Sequence, residues 1–378
     1  MFYAGFNSGV VPTPLYLFFI ITLVIYFFVK GAWIDRIKTN LKSKLFTEKI
    51  PSGLSKRFRE IPPDYYQNMM ESLAINHFTS SRGYDKDYLD SDHGKESTQD
   101  ILYNRFEFTR NRIIPWIDSI RCLSNLNIIE VGCGTGPGTS AFAEQVESII
   151  ALDIDENILK VCQDRCKILS LDNVQYYSMG LPDYYNIIKS KNNSKNIDAI
   201  VFYATLEHMT LKHRISALRT AWEILPIGGL IIILDTPNCL FFYDSHTSGL
   251  PFHHWISDEL AYRYIEVNPN SIFQSESFLV ELNNAKMDEF ISRGRSMSYH
   301  DLEVSMKKSI NSFNFMESLS SYEDKQYYYE KKIVRIFKNI RFQKESFTDR
   351  YIKLMSEYQP KIDPAFFRPY LNIIIQKN

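Results

Sequence analysis

The stretch NIIEVGCGTGPGTS, residues 127–140, decides how this chain is expected to fold. It begins as a short apolar run, passes through a turn with glycine at 132, 134, 136 and 138, and continues into residues suited to a helix start. A strand, a glycine-rich turn and a helix together let a backbone approach a bound ligand closely. A second apolar run, SIIALDI, ends near Asp153, about 20 residues after Gly132, where an acid would bind a ribose diol. These residues predict a nucleotide-binding α/β domain.

The spacing of the glycines narrows the choice of nucleotide. A dinucleotide-binding turn has the pattern G-x-G-x-x-G, and Pro137 occupies its sixth position here. No Lys-Ser or Lys-Thr pair follows to hold a phosphate. The turn instead has the form E-x-G-x-G-x-G from Glu130 to Gly136. A nicotinamide-dependent oxidoreductase is therefore kept only as a less favoured alternative.

Further strand and helix patterns follow in alternation. Residues 173–179 and 196–203 are predicted as the third and fourth strands, and residues 211–225 have apolar positions at helical spacing. The LPIGG break at 225–229 ends that helix, and the apolar run at 230–236 is predicted as a buried fifth strand. Runs this continuously apolar favour a parallel sheet that is covered by helices on both faces.

This order of units resembles the class I S-adenosylmethionine-dependent methyltransferases, which have an acid-x-G-x-G-x-G turn after the first strand. The resemblance implies a Rossmann-like, seven-stranded α/β sandwich at residues 101–378, with S-adenosyl-L-methionine as its cofactor. Residues 101–240 would be the core. Residues 339–346 and 370–378 would be the last two strands within 339–378, the last of them antiparallel. Residues 241–338 would then be a helical acceptor-side insertion, with a helix candidate at 327–337.

The resemblance also implies which residues hold the cofactor. The glycines would face its methionine and ribose parts, Glu130 would support the turn or meet the amino group, and Asp153 would accept from the ribose hydroxyls. Ile154 would cover the adenine, and Tyr203 would line the methionine end. The chain lacks the acid that often follows the third strand, and Met179 is predicted there as the adenine wall. The complete predicted set is Glu130, Gly132, Cys133, Gly134, Thr135, Gly136, Asp153, Ile154, Met179, Tyr203 and Ala204.

Three histidines are candidates for the base that a hydroxyl acceptor needs, because imidazole titrates near neutral pH. His208 follows the fourth strand, and His246 and His254 lie in DSHTSGLPFHHW, residues 244–255, after the fifth strand. Both loops are expected at the carboxyl edge of the sheet, where this kind of fold binds its ligands. We therefore predict His254, His246 and His208 as the catalytic candidates.

Two other interpretations of the histidine-rich loop stay open. In one the loop is structural, and in the other His246 and His253 hold a metal with Asp244 or Asp258. Neighbouring residues on a strand face opposite ways, so His253 and His254 are not expected to share a site, and no metal is predicted. Residues 236–264 also resemble a subgroup of bacterial class I methyltransferases found with surface-glycan enzymes, in which Asp244, His246 and His254 recur.

The N-terminal region predicts a membrane anchor. Residues 1–29 carry no charge, and residues 15–29 are apolar or aromatic apart from Thr22. With its flanks the run is long enough to cross a bilayer, which predicts a transmembrane helix at 13–34 after a short segment at 1–12. Basic residues at 30, 36, 38, 42 and 44 favour a cytoplasmic location for the rest of the chain. Residues 35–100 are predicted as a juxtamembrane linker or cap, with a loop at 80–97.

Composition limits the protein classes that fit. The chain has 378 residues, 45% of them hydrophobic, and a net charge of −1, so it lacks the basic excess of a nucleic-acid-binding protein. Its five cysteines are an odd number in a long chain, which argues against a disulfide framework and suggests a reducing compartment. Cys162 and Cys166 are spaced for one face of a helix and are predicted to be packing residues.

Together these features predict a single-pass, membrane-anchored methyltransferase with a cytoplasmic catalytic domain. We expect it to O-methylate a glycan, a glycolipid or another lipid-linked acceptor, because an anchor holds an enzyme close to such substrates. A small-molecule or quinone-type methyltransferase and a catalytically inactive, membrane-tethered scaffold are the alternatives. The expected partners are the membrane and the methyl acceptor, without a nucleic acid.

Overall fold

A computed structural model describes residues 52–84, 86–190, 196–264, 283–326 and 346–378. Contacts within the chain divide it into Met1–Ser55 and Lys56–Asn378. Of the first unit only the helical turn Ser52–Ser55 is described. The transmembrane helix predicted at 13–34 lies outside the described residues. Within the described ranges, no helix combines the length and the apolar character that a membrane span requires.

The second unit is built on a mixed sheet of seven strands in the order β3-β2-β1-β4-β5-β7-β6. The strands are β1 Asn127–Val131, β2 Ser148–Asp153, β3 Val174–Ser178, β4 Ala199–Tyr203, β5 Leu230–Pro237, β6 Asn314–Ser318 and β7 Tyr370–Gln376. β1 to β5 are parallel, and β7 runs antiparallel between β5 and β6. This confirms the predicted Rossmann-like α/β class, the seven strands and the antiparallel last strand.

Helices surround the sheet along the whole described unit. They are α1 Tyr65–Ser72, α2 Asp92–Gln99, α3 Arg105–Phe108, α4 Ile114–Ile120, α5 Pro137–Ala143, α6 Glu156–Ile168, α7 Leu181–Ser190, α8 Leu211–Ile224, α9 Asp258–Tyr264, α10 Asn284–Ser292, α11 Tyr299–Met306, α12 Leu319–Gln326 and α13 Phe347–Tyr358. Side-chain caps begin several of them: Asp155 accepts from Asn157 N in α6, and Thr210 accepts from His213 N in α8. Such caps satisfy backbone N–H groups that a helix leaves free at its start.

Both faces of the sheet are covered, which explains the continuous apolar runs of β1, β2, β4 and β5. One face packs against α7, α8, α11 and α13 through side chains such as Ile129, Phe202 and Ile233. The other face meets α5 and α6. β1 neighbours β2 on one side and β4 on the other, so the order of strands reverses between β1 and β4. In open sheets of this kind ligands bind at the carboxyl ends of the strands, at the point of reversal.

The sixth strand differs from its prediction. It is Asn314–Ser318, which lies inside the stretch 241–338 that was expected to be an insertion. The predicted strand at 339–346 and the helix candidate at 327–337 lie outside the described residues, apart from Ser346. Helices do occur between β5 and β6, namely α9, α10 and α11, as the prediction of a helical insertion requires. The strand was missed because NFMES is short and only half buried, so its apolar pattern is weak.

The loop predicted at residues 80–97 is mostly helical. A π-type helix at Leu73–Ser81, a 3-10 helix at Lys86–Asp90 and α2 occupy most of it. Its Asp, Ser and Gly content serves packing and capping: Ser91 accepts from Gly94 N, and a Cβ on Gly94 would lie 2.0 Å from the Tyr88 carbonyl oxygen. Residues 56–100 also belong to the same compact unit as the sheet, so residue 101 is not a boundary between units.

Arg165 joins the N-terminal helices to the glycine-rich turn. Its side chain, on α6, is fully buried. Its Nε donates to the Thr135 carbonyl oxygen at 3.0 Å, and its other nitrogens donate to the carbonyl oxygens of Ile101 at 2.9 Å and Leu102 at 3.3 Å and to the Tyr65 hydroxyl. One planar guanidinium therefore holds one segment of helical backbone, the Tyr65 side chain of α1 and the turn in a fixed relation.

We expect Arg165→Lys to lower the free energy of unfolding by about 2 to 4 kcal/mol, because one ammonium cannot donate to all the oxygen acceptors that the guanidinium reaches in several directions. Chemical denaturation measures the change. Arg263→Lys is the matched control, since the Arg263 side chain is 63% exposed and, among the described residues, pairs with Glu259 one turn away. This variant should shift stability by no more than about 0.5 kcal/mol. Equal unfolding midpoints for the two variants would contradict this role of Arg165.

Candidate functional site

The glycine-rich turn lies directly after β1 and closes against the end of β2. Gly132 N and Cys133 N both donate to the Leu152 carbonyl oxygen, at 2.7 and 3.0 Å. Gly132, Gly134 and Gly136 all have positive φ, at 70°, 57° and 82°. This left-handed backbone is one that glycine adopts readily and other residues rarely do.

The three glycines differ in what surrounds them. A Cβ on Gly132 would lie 1.7 Å from Thr205 Oγ1, and a Cβ on Gly136 would lie 2.6 Å from Cys162 Sγ. A Cβ on Gly134 would have no atom of the described residues within 4 Å. Gly132 and Gly136 are therefore required by protein packing, whereas Gly134 presents bare backbone to open space. Of the three, Gly134 is the position where a ligand can approach the chain.

Asp153, at the end of β2, faces the same turn. Its Oδ2 accepts from Gly134 N at 2.9 Å and its Oδ1 accepts from Asp155 N at 3.0 Å. Burial raises the pKa of Asp153, against the lowering effect of the two N–H groups. Each carboxylate oxygen has a second lone pair, so both can still accept from a diol. The neighbouring Ile154 is 83% exposed and offers an apolar surface beside the acid.

The other predicted cofactor residues near the turn have mainly supporting contacts. Glu130 is buried beneath the turn, where Thr139 Oγ1 donates to its Oε2 at 2.5 Å, and burial raises its pKa to about 8. This contact fits support of the turn. Cys133 is buried, and the carbonyl of Thr135 accepts from Arg165. Met179 is half-buried just after β3 and packs against the core.

The ends of β4 and β5 form the opposite side of this edge. Burial raises the pKa of Tyr203, the last residue of β4, to about 12. Ala204 follows it with φ 48°, and Asp235 in β5 has φ 51°, where the pairing of β5 with β7 is irregular. Positive φ in a residue other than glycine is strained and tends to occur at functional sites. Burial also raises the pKa of Asp235, which is half-buried.

The rings of His208 and His246 lie close together at this edge, and their catalytic role stays a prediction. Their ring centroids are 5.8 Å apart. His208 is 41% exposed at its side chain, yet the loss of water around the rest of the ring lowers its pKa to about 4. Burial also lowers the pKa of His246. Both imidazoles are therefore neutral at physiological pH. Glu207, next to His208, has a fully buried side chain, and burial raises its pKa to about 8.

Asp244 organises the histidine-rich loop. It is buried, and it receives hydrogen bonds from three backbone N–H groups and one hydroxyl of its own loop at 2.8 to 3.0 Å, from His246 N, Thr247 N, Ser248 N and Ser248 Oγ. Burial alone would raise the pKa of Asp244, but hydrogen bonds from His253 and His254 and from the loop backbone hold it well below its usual range. The carboxylate thus acts as the anchor of the loop.

His253 and His254 both contact this anchor. His254 Nε2 lies 3.1 Å from Asp244 Oδ1, and His253 Nδ1 lies 3.4 Å from Asp244 Oδ2. The expectation that these two histidines face opposite ways is wrong, because they lie on the 3-10 turn His253–Trp255 and not on a strand. Both side chains are less than 5% exposed. His254 has the geometry of a residue that supports the loop, and its catalytic role stays a prediction.

Sequence reasoning missed two acids of the site. Asp235 ends the apolar run of the fifth strand, which is the signal that singled out Asp153 after the second strand. Glu207 precedes His208 in the LEH segment and was not selected, because nothing in the sequence shows that its carboxylate is buried. Together with His208 and His246 these acids form a polar edge facing the carboxyl ends of β4 and β5.

We expect Asp244→Asn to lower the free energy of unfolding by about 3 kcal/mol or more, because the amide replaces a buried charge that several donors share. Thermal or chemical unfolding measures the loss. Asp172→Asn is the matched control at an exposed position of the same unit and should leave stability unchanged. If Asp244→Asn and the control unfold at the same temperature or denaturant concentration, Asp244 does not anchor the loop.

Known proteins resemble this chain in sequence and in fold. Residues 128–229 match a family described as a methyltransferase domain. A probable S-adenosylmethionine-dependent methyltransferase of Mycobacterium tuberculosis is 24% identical over 161 residues, which are 42% of this chain and 53% of that protein. One of Mycolicibacterium smegmatis is 23% identical over 161 residues, 42% of this chain and 57% of that protein. The chain spans about half the length of these relatives.

Among solved structures, PKMT2 from Rickettsia typhi in complex with AdoHcy superposes with a TM-score of 0.40 at 13% identity, over 70% of this chain and 52% of that one. The family match begins in β1 and ends just before β5, so it contains the glycine-rich turn, Asp153 and Tyr203. The match identifies residues 128–229 as a methyltransferase domain, and the relatives in Mycobacterium tuberculosis and Mycolicibacterium smegmatis are described as probable S-adenosylmethionine-dependent methyltransferases.

Proposed function

We propose that this chain transfers a methyl group from S-adenosylmethionine to a hydroxyl of a glycan, a glycolipid or another lipid-linked acceptor, with its catalytic domain at the cytoplasmic face of a membrane. One observation carries the enzymatic part of the proposal. The open backbone at Gly134 and the carboxylate of Asp153 lie on the same sheet edge as the polar groups after β4 and β5. A cofactor side and an acceptor side therefore adjoin.

The described residues fit the cofactor. Gly134 leaves room for a ligand against the backbone, Asp153 has carboxylate lone pairs for two ribose hydroxyls, and exposed Ile154 has an apolar surface for a purine. When bound, the cofactor supplies a methyl group on a sulfonium sulfur, a group that needs no further activation. The contribution of the protein is to align the acceptor with that methyl group.

The acceptor side suits a hydroxyl substrate. A hydroxyl must lose its proton as it is methylated, and a positioned base contributes roughly 10²- to 10⁴-fold to such a step. His208 and His246 are neutral imidazoles on this edge. The negative charge of Asp235 raises the pKa of His246 against the stronger lowering effect of burial. These groups can hold or accept a proton where the carboxyl ends of β4 and β5 meet the cofactor side.

The N-terminal sequence supports the membrane part of the proposal. The uncharged run at 15–29 and the basic residues after it suit an anchored chain whose domain stays in the cytoplasm, where S-adenosylmethionine is made. An anchor adds nothing to methyl transfer itself, but it holds the domain near lipid-linked acceptors. The likeness of residues 236–264 to methyltransferases found with surface-glycan enzymes favours a glycan among these acceptors.

Transfer of label from methyl-labelled S-adenosylmethionine into a membrane extract tests the function. We expect the wild-type chain to label a lipid-extractable or glycan-containing molecule at its oxygen atoms, and Asp153→Asn to label it at least tenfold less. Label that enters only small water-soluble molecules would contradict the acceptor class. An absence of any transfer would contradict the enzymatic proposal.

Gly134→Ala should weaken the binding of S-adenosylhomocysteine at least tenfold while the protein remains folded, because the new methyl group occupies the open side of the turn. Calorimetry measures the affinity. Gly228→Ala is the matched control: Gly228 also has positive φ, at 85°, and open space around its Cβ position, but it precedes β5 at the other edge of the sheet. If both variants bind the ligand as the wild type does, the turn is not the cofactor site.

A reporter fused to the C-terminus tests the proposed orientation. We expect its signal on the cytoplasmic side in a fractionated cell, and we expect removal of residues 1–34 to release the protein from the membrane. A reporter signal from the opposite side would contradict the topology, and with it the access of the domain to its cofactor.

A further inference from the structure

Glu207, His208 and His246 form a cluster of potential metal ligands on the acceptor side of the site. One ligand atom from each lies within 4.8 Å of the other two. The first two residues follow β4 and the third follows β5. We propose that this cluster binds one divalent transition-metal ion, such as Zn²⁺ or Mn²⁺, and that the ion holds the oxygen of the methyl acceptor.

The carboxylate of Glu207 is the first observation that points to a cation. Its side chain is 0% exposed, and neither oxygen has a hydrogen-bond partner within the described part of the chain. A buried carboxylate without a partner is costly, and buried acids in proteins are normally paired or coordinate metals. The nearest imidazole nitrogen, His208 Nε2, lies 3.8 Å from Glu207 Oε1. An ion between them would supply the missing partner.

The hydrogen bonds of the two imidazoles are the second observation. His208 Nδ1 lies 2.8 Å from the Ser292 carbonyl oxygen, which can only accept, so Nδ1 carries the proton. His246 Nδ1 lies 2.9 Å from Thr247 Oγ1, and that hydroxyl donates its hydrogen to the Gly294 carbonyl oxygen at 2.8 Å. His246 Nδ1 is therefore the donor to Thr247.

This arrangement leaves Nε2 of both imidazoles with a free lone pair. Histidines that bind metals almost always donate their other ring N–H to a carbonyl, a carboxylate or water, which holds the ring in place. Gly294 adds to this positioning, because a Cβ there would lie 2.7 Å from His246 Cε1 and displace the ring. The support of both rings comes from the segment between β5 and β6, which contains Ser292 and Gly294.

The donor set indicates which ion fits. Two imidazoles and one carboxylate suit zinc, manganese or iron better than calcium, which prefers oxygen ligands throughout. Three protein ligands with a position left open are also typical of catalytic zinc sites, whereas structural sites use four. The exposed edge of His208, with 41% of its side chain accessible, keeps one side of the cluster open.

A second cluster, Asp244, His253 and His254, also has ligand atoms within 4.8 Å of one another. Its chemistry is different, because the Asp244 oxygens already receive hydrogen bonds from backbone N–H groups, a hydroxyl and an imidazole. A metal would have to displace these donors. This cluster is therefore a structural anchor, and the metal belongs at Glu207.

The role of the ion in holding the acceptor rests on the proposed methyltransferase function. An acceptor hydroxyl bound to a metal is oriented and more acidic than a free one. With the ion in place, His208 and His246 act as ligands, and the proton of the metal-bound hydroxyl leaves to water at the open side of the cluster as the methyl group passes from sulfur to oxygen. The binding of the metal itself does not depend on the proposed reaction and can be tested separately.

Calorimetric titration with Zn²⁺, and separately with Mn²⁺, tests the site on chelator-treated full-length protein that carries no histidine tag. We expect the wild type to bind one ion per chain. Glu207→Gln and His246→Gln should bind it at least tenfold more weakly. Thr247→Val removes the hydroxyl that orients His246, together with its hydrogen bond to the Gly294 carbonyl oxygen, and should bind the ion roughly 10- to 100-fold more weakly. His213→Gln is the matched control, because His213 is exposed on α8, and should bind as the wild type does.

The proposal is overturned if the wild type binds no ion, or if Glu207→Gln and His246→Gln bind it with unchanged affinity. Ion binding kept in these variants would place the metal at the Asp244 cluster instead. Thermal unfolding of each variant checks folding, and if Glu207→Gln is unfolded, the half-buried His246→Gln decides. The affinity for S-adenosylhomocysteine should remain within about twofold of wild type in all folded variants.

The labelled transfer assay tests the acceptor role. We expect a chelator to stop methyl transfer and an added metal ion to restore it, with S-adenosylhomocysteine binding unchanged throughout. Transfer that continues at full rate after chelation, in a protein that binds the ion in the titration, would overturn the acceptor role while the metal site remains. An absence of transfer under all conditions would count against the proposed function and leave the titration result standing.

Discussion

The hydrogen bond from Gly134 N to Asp153 Oδ2, at 2.9 Å, is the contact on which the rest of the site depends. It ties the turn after β1 to the end of β2, next to the two N–H groups that donate to the Leu152 carbonyl oxygen. The turn takes this path because its glycines adopt positive φ. In addition, Gly132 has no side chain, which allows Thr205 to pack directly against it. Thr205 belongs to the loop after β4. The glycine-rich turn therefore contacts the end of β2 through Gly134 and the loop after β4 through Gly132.

Two buried charged groups keep this edge in place from further away. Arg165 connects the turn to the helices at 65–104, and Asp244 gathers its own loop and two histidines. Both side chains can stabilise the site without contacting a ligand. A functional site requires the surrounding residues to hold its side chains to within a fraction of an ångström. Buried charged groups that make several hydrogen bonds hold their neighbours in this way. The loop histidines most visible in the sequence, His253 and His254, belong to this support.

The parallel half of the sheet could be predicted from the sequence because its signals are local. Apolar runs mark β1, β2, β4 and β5, the glycine spacing marks the turn, and Asp153 ends the second run. Strand β6 could not be predicted in the same way, because four of its five residues are partly or fully exposed and, within the described part of the chain, it pairs with β7 alone. The helices at 73–99 were missed for a related reason: their Asp, Ser and Gly residues act in caps and close contacts that only the folded neighbours reveal.

The acceptor side of the site could be predicted from the sequence only in part. His208 and His246 were recognisable as candidates, since each follows a strand that ends at the ligand-binding edge. The isolation of the Glu207 carboxylate and the hydrogen bonds that set the tautomers of the two rings depend on Ser292, Thr247 and Gly294. These residues come from distant parts of the chain or from positions without a distinctive pattern. Chemistry of this kind is readable only from three-dimensional contacts.

The most direct test of the central claim is an experimental structure of the chain with S-adenosylhomocysteine bound. The account predicts the ribose hydroxyls on the Asp153 carboxylate, the purine beside Ile154 and the sulfur directed toward the space in front of Tyr203 and His246. A ligand whose ribose lies away from Asp153, or whose sulfur points away from the loops after β4 and β5, would contradict it.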